Sequence, residues 1–153
     1  MLKEGDKAPG FTLKNEENQD IILSNFNGKK VVIYFYPKDD TPGCTKEACS
    51  FRDLYDDILD AGSVVIGISA DNSTSHQKFK DKHTLPFYLL TDADHSVIES
   101  YGAWQEKKMF GKTYMGIVRS TFIIDENGTI IKTYQKVKPE EHGEEVLKVL
   151  KNQ

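Results

Sequence analysis

Tyr34-Phe-Tyr-Pro-Lys-Asp-Asp-Thr-Pro-Gly-Cys44-Thr-Lys-Glu-Ala-Cys49 holds both cysteines of the chain and joins its apolar Val31–Tyr36 run to a helical pattern. Val31–Tyr36 is a continuous apolar run, suited to a strand in the middle of a sheet. Pro37 stops it, and the Asp-, Pro- and Gly-rich residues that follow read as a turn. Beyond the turn, Ala48, Phe51, Tyr55, Ile58 and Leu59 recur at helical spacing, with Leu54 at the edge. They predict one helix, ending near Ala61-Gly62, with this stripe facing the core. Thr41 is its expected N-cap, and Pro42 suits the first helical position. Val64-Val-Ile-Gly-Ile-Ser69 then reads as a second buried strand. Strand, helix, strand makes a βαβ unit with parallel strands and a right-handed crossover, so the class is α/β.

The two cysteines are expected to differ. Cys44 lies in the first helical turn, where unpaired N–H groups and the positive end of the helix dipole favour a thiolate. It is the candidate nucleophile. Cys49, five residues on, is about 140° round the helix, with Asp53, Asp56 and Asp60 on an acidic, solvated face. Acidic neighbours disfavour its thiolate, and it is the candidate second thiol. A free cysteine can also be an inert small hydrophobe, a reading that suits a charged helix face poorly. Zinc is not expected, because no second Cys or His pair stands at ligand spacing. Five helical residues rise about 7.5 Å, and a disulfide needs Cα atoms within roughly 7 Å with converging side chains. Pairing of Cys44 with Cys49 therefore requires the first turns to unwind.

The rest of the chain builds one domain over residues 1–153. Ala8–Leu13 and Ile21–Leu23, split by polar Lys14–Asp20, suggest an N-terminal hairpin, and Asn27-Gly28 a turn. A helix is expected from Asp71 to about Lys82 with Phe79 as anchor, then a strand at Leu85–Leu90. Asp92, Asp94 and Ser96 imitate the start of a calcium loop, but Val97 and Ala103 stand where Gly and Glu are needed. A helix cap leading into Val97–Tyr101 fits better. Asn127-Gly128 joins Ile117–Ile124 to Thr129–Tyr134 as a hairpin, and a helix with Val146, Leu147, Val149 and Leu150 on one face closes the chain. Lys+Arg 20 against Asp+Glu 24 gives a net charge of −4 with mixed signs, which argues against nucleic-acid or membrane-surface partners. There is no hydrophobic signal region and no membrane-length run, so a reducing cytoplasm is expected. In that compartment a cysteine pair points to redox or catalytic chemistry.

Arg119 stands inside an apolar strand pattern, on the face of Ile117, Thr121 and Ile123. It is either an edge or surface residue, or a cation aimed at a buried anion, for which a Cys44 thiolate is the obvious partner. Thr41 can cap the helix and also present its hydroxyl beside the sulfur. Pro37 can end the strand and also cover the sulfur. His76, His83, His95 and His142 are scattered among polar segments and are expected at the surface. Lys107–Met115, basic and aromatic-bearing, is expected as a solvated loop over the active site.

The motif Pro37-x-x-x-Thr41-x-x-Cys44 resembles the active-site signature of the peroxiredoxins. The longer run through Cys49 resembles their bacterioferritin comigratory protein, or peroxiredoxin Q, branch. Gly5-Asp-Lys-Ala-Pro-x-Phe-Thr-Leu13 is similar to that family's opening, with Gly10 where Asp is usual. Lys112-Thr-Tyr-Met-Gly-Ile-Val-Arg119-Ser-Thr-Phe-Ile-Ile-Asp125 is similar to its second characteristic block. The resemblance implies a thioredoxin-like fold: a central mixed β-sheet flanked by helices, with an N-terminal β-hairpin extension. It implies a thiol peroxidase acting on hydrogen peroxide and organic hydroperoxides. Cys44 would be the peroxidatic cysteine, Cys49 the resolving cysteine in an intramolecular disulfide, Thr41 and Arg119 the peroxide-orienting groups, and Pro37 the shield. It implies no cofactor and no metal, an external dithiol reductant such as thioredoxin, and a monomer. Competing readings are a thiol–disulfide oxidoreductase, for which Cys-x-x-Cys is missing, a non-catalytic redox sensor, and a structural domain with inert thiols.

Overall fold

The computed structural model describes residues 2–153; Met1 lies outside the described residues. The strands and helices are, in chain order, β1 (Thr12–Lys14), β2 (Asp20–Ile22), β3 (Lys30–Phe35), α1 (Pro42–Asp53), α2 (Tyr55–Asp60), β4 (Ser63–Ser69), α3 (Ser73–His83) and β5 (Tyr88–Thr91), then α4 (Ser96–Ser100), β6 (Trp104–Met109), β7 (Lys112–Ile117), β8 (Ser120–Ile124), β9 (Ile130–Tyr134) and α5 (His142–Lys151). Seven strands form one mixed sheet in the order β2-β1-β5-β4-β3-β8-β9. β3 pairs in parallel with β4, and β4 with β5. β8 pairs antiparallel with β3 on the other side. The expected βαβ crossover therefore sits at the centre of the sheet, and the N-terminal hairpin extends one edge through β1 and β5.

Strand alternation divides the core between the two faces. Val32, Tyr34 and Tyr36 point to the side packed by Ala48 and Phe51 of α1, Phe79 of α3 and Val146 of α5. Ile33 and Phe35 point to the other side, against Ile98, Tyr101 and Phe122. The order of α3 is explained by its cap: Asn72 accepts from the Ser75 N–H. Asp92 caps the start of α4 by accepting from the Ile98 N–H at 2.7 Å, the role expected for the imitation calcium loop. No helix among the described residues is long and apolar enough to cross a membrane.

Several expectations are corrected. The first helix is not continuous: Leu54, at φ −112° and ψ 10°, turns the backbone between α1 and α2. The turn resets the helical phase, so Ile58 is buried while Leu59, expected in the core, is 45% exposed. The expected Ile117–Ile124 strand is broken at Val118–Arg119. β7 joins β6 in a separate two-stranded sheet, and β8 joins the main one. Lys107–Met115 is thus a β-hairpin and not an irregular loop. Two histidines expected at the surface, His76 and His142, are fully buried. Each finds a hydrogen-bonding partner that sequence order does not reveal: Asp39 for His76 and Thr121 for His142.

Candidate active site

Cys44 sits in the first turn of α1, at the C-terminal end of the parallel strands, where β3 feeds through Pro37–Thr41 into the helix. Its thiol is buried, with the residue 1% exposed. Pro42 has no N–H, and the amides of Gly43 and Cys44 lie in the turn that lacks intrahelical acceptors. The Thr41 side chain does not cap them. Instead its hydroxyl donates to the Lys38 carbonyl at 3.0 Å. Thr41 therefore holds the turn together from outside the helix and keeps lone pairs free to accept. Pro37 is exposed at the end of β3.

The break at Val118–Arg119 delivers the guanidinium to this thiol. Arg119 Nη2 donates to Cys44 Sγ at 3.3 Å, and Nη1 donates to Glu47 Oε1 at 2.7 Å. A planar fork reaches two acceptors in this way, where an ammonium would act as a single point. Gly43 eases the approach, because a Cβ there would crowd Nη2 at 3.1 Å. Of the two readings of Arg119, the structure shows the cation aimed at the buried thiol.

Glu47 was missed by sequence reasoning. It is one turn after Cys44 and beside the apolar stripe, and an acid on that face was the available signal. It is completely buried, and Oε2 has no hydrogen-bond partner among the described residues. Burial pushes its carboxyl up to about 7, although Arg119 pulls the other way. Lys107 is a second cation near the site. Its ammonium donates to the Ile117 carbonyl at 2.7 Å. Burial and then Arg119 lower its affinity for a proton, while Cys44 raises it. Behind the thiol, Tyr34 is fully buried, and its hydroxyl has no hydrogen-bond partner among the described residues. Burial first, and then the charges of Glu47 and Cys44, hold its phenol neutral.

Cys49 is half-exposed on α1, and both cysteines are free thiols. Its thiol is pushed up as expected, but chiefly by partial burial. Asp53 adds to the effect and Arg52 opposes it. Asp56 and Asp60 belong to α2, beyond the Leu54 turn, and do not extend its face.

The sequence pattern of the AhpC/TSA family matches residues 4–133. The chain belongs to the AhpC/TSA family. Its curated relatives place it among the peroxiredoxins of the Bcp, or Q, branch. It is 50% identical over 151 residues to peroxiredoxin Bcp of Bacillus subtilis, covering 99% of this chain and 96% of that one. It is 45% identical over 150 residues to peroxiredoxin Bcp of Escherichia coli, with 98% and 96% covered. Among solved structures, it matches a cysteine-to-serine mutant of Xylella fastidiosa PrxQ at a TM-score of 0.94 and 32% identity, over 99% and 97% of the two chains. It also matches the bacterioferritin comigratory protein of Xanthomonas campestris, studied for alkyl peroxide reduction, at a TM-score of 0.88 and 36% identity, over 93% and 90%. A thioredoxin-like peroxiredoxin fold and a thiol-peroxidase class follow from these matches, as the motif around Cys44 implied.

Proposed function

We propose that this peroxiredoxin reduces hydrogen peroxide and organic hydroperoxides through a Cys44 sulfenic acid that Cys49 resolves. The observation that carries the reading is the Arg119 fork, which spans the buried Cys44 sulfur and Glu47. The Cys44 thiolate attacks the nearer peroxide oxygen in line with the O–O bond. An S–O bond forms, the O–O bond breaks, and its electron pair leaves on the distal oxygen. Arg119 and the free amides of the first turn stabilise that developing charge. The alkoxide or hydroxide takes a proton and departs as alcohol or water, leaving Cys44 as sulfenic acid. The Thr41 hydroxyl, with its proton committed to Lys38, orients the peroxide by accepting its O–H. Pro37, at the rim, limits access of water to the sulfur.

The Cys49 thiolate then attacks the Cys44 sulfur, expelling the sulfenic oxygen as water and forming the intramolecular disulfide. α1 must open for this step, since the two side chains diverge on an intact helix. An external dithiol, of the thioredoxin type, reduces the disulfide by exchange and supplies the two electrons of the cycle. The chain works as one domain over residues 1–153 and as a monomer, with no cofactor and no metal, in a reducing cytoplasm.

The test is peroxide consumption with thioredoxin as electron donor. Cys44→Ser should abolish turnover. Cys49→Ser should react once with peroxide and then stall with thioredoxin. Full thioredoxin-linked turnover in Cys49→Ser would remove Cys49 from the mechanism.

A further inference from the structure

Asp39, in the Pro37–Thr41 loop that leads into α1, and His76 take no part in the chemistry above, yet both are buried. The two ring nitrogens of His76 meet two acceptors. Nδ1 lies 2.7 Å from the Asp39 carboxylate, and Nε2 lies 3.0 Å from the Leu90 carbonyl. A neutral imidazole has one N–H and one lone pair, so one of these contacts would set a lone pair against an oxygen. A ring protonated on both nitrogens donates to both. Asp39 also receives the hydroxyls of Tyr36 at 2.5 Å and Ser75 at 2.8 Å, the surroundings of a carboxylate.

This pair holds a loop that needs holding. Asp39 is tied again through its main-chain N–H, which donates to Asp71 at 2.8 Å. Its neighbour Asp40 has φ +59°, a costly conformation for a residue with a side chain. Asp40 meets Lys82 in an exposed ion pair and His83 Nε2 at 3.2 Å, surface contacts that contribute little. The outer side of the loop is not packed: an open cleft of about 550 Å³ lies there, lined by Asp39, Asp40, Ser75, Phe79 and Lys82 among others. The first turn of α1 continues directly from the loop, with the Thr45 N–H on the Thr41 carbonyl. A shift at Asp39 therefore reaches Thr41 and Cys44. The ligand atoms of Asp39, Asp71 and His76 cluster closely enough to suggest a metal. Each is already engaged in a hydrogen bond, however, which favours a proton-bound network.

We propose that a His76 imidazolium paired with the Asp39 carboxylate is the positioning element for the peroxide step. It keeps the Pro37–Thr41 loop and the first turn of α1 in the arrangement in which Cys44 attacks. The inference rests on Cys44 being the attacking thiol. The groups facing the ring are Asp39 from the loop, Tyr36 following β3 and the Leu90 carbonyl of β5, with Asp71 beyond Asp39. On its own helix, Lys78 lines the cleft and Lys80 is drawn to Glu16.

Two measurements test it. In the reduced, 15N-histidine-labelled protein, NMR at neutral pH should show both His76 ring nitrogens protonated. His76→Leu should slow the oxidation of Cys44 by hydrogen peroxide about tenfold at neutral pH, the loss of one charge-assisted hydrogen bond. Closure of the Cys44–Cys49 disulfide should be no slower than in the wild type. Asp39→Asn, which keeps the side-chain size, should reproduce this pattern and serves if His76→Leu does not fold. A ring with one proton at neutral pH, or variants that oxidise at the wild-type rate, would overturn the proposal. Absence of Cys44 oxidation in the wild type would instead condemn the assignment of the attacking thiol.

Discussion

Arg119 engages two acceptors with two nitrogens, and that division explains why arginine stands there. Arg119→Lys keeps the charge but cannot hold Cys44 Sγ and Glu47 together. We expect its Cys44 oxidation rate to fall on the order of 10²-fold or more, as when a preorganised donor is removed from a developing anion. Stopped-flow oxidation by hydrogen peroxide measures this, and a rate within twofold of wild type would contradict it. Glu47 makes the site sensitive to pH. Its carboxyl titrates near 7 in the fold, above its ordinary 4.5, because burial outweighs the attraction of Arg119. A raised carboxyl favours the fold while protonated. Stability on its account therefore falls as pH rises from about 4.5 to about 7, on the order of 3 kcal/mol, and is level above. Denaturant titrations of Glu47→Gln across this range should lack that slope. We expect the wild-type oxidation rate to decline as pH drops through about 7, where Glu47, the anchor of Arg119, becomes neutral, and the same variant should lack that decline. At this scale the sequence announced Cys44, Thr41, Pro37 and Arg119 through one motif and one charge in an apolar run. It hid Glu47, because an acid on a helix usually means solvent. It also hid His76 and His142, whose partners lie 37 and 21 positions away.

Helix α1 carries both thiols, so its local stability decides when they can meet. Its first turn is held from outside by Thr41 and by the loop. Its far end is held by α5, where the Gly143 N–H donates to the Ser50 hydroxyl at 3.0 Å and that hydroxyl donates to the Glu47 carbonyl. A Cβ on Gly143 would run into the Ser50 carbonyl. Gly143→Ala must force α5 away from α1, and we expect a loss of about 1–3 kcal/mol in urea unfolding. No loss would mean that the helices are not in contact there. Hydrogen exchange carries the second expectation. On oxidation to the Cys44–Cys49 disulfide, amides of α1 near Cys44 should lose protection while β3 and β4 keep theirs. Unchanged protection in α1 would contradict unwinding. The strands and the βαβ crossover were legible because continuous apolar runs and helical spacing are local signals. The Leu54 turn and the break before Arg119 were not. Both interrupt a pattern that remains apolar, and what decides them is where α2 and β7 pack.

The whole molecule places the Cys44 sulfur at the end of a central parallel pair of strands, with α1, α2, α3 and α5 on one face and α4 with the N-terminal segment on the other. The mixed sheet bears out the expected thioredoxin-like architecture, because its central crossover was written in order along the chain. The separate β6–β7 sheet was not foreseen. Its residues were read from charge as a solvated loop, and several of them are indeed exposed, Phe110 by 96%. The net charge of −4 carries no information about the site, where Arg119 and Lys107 concentrate positive charge around one thiol. The central claim is that one thiol attacks and the other resolves. Intact-protein mass after one equivalent of hydrogen peroxide tests it most directly, on the wild type and on Cys49→Ser. The account predicts a wild type lighter by two hydrogens and a mutant heavier by one oxygen. A Cys49→Ser protein that does not gain oxygen within minutes, or a wild type that gains it without losing hydrogen, would contradict the account.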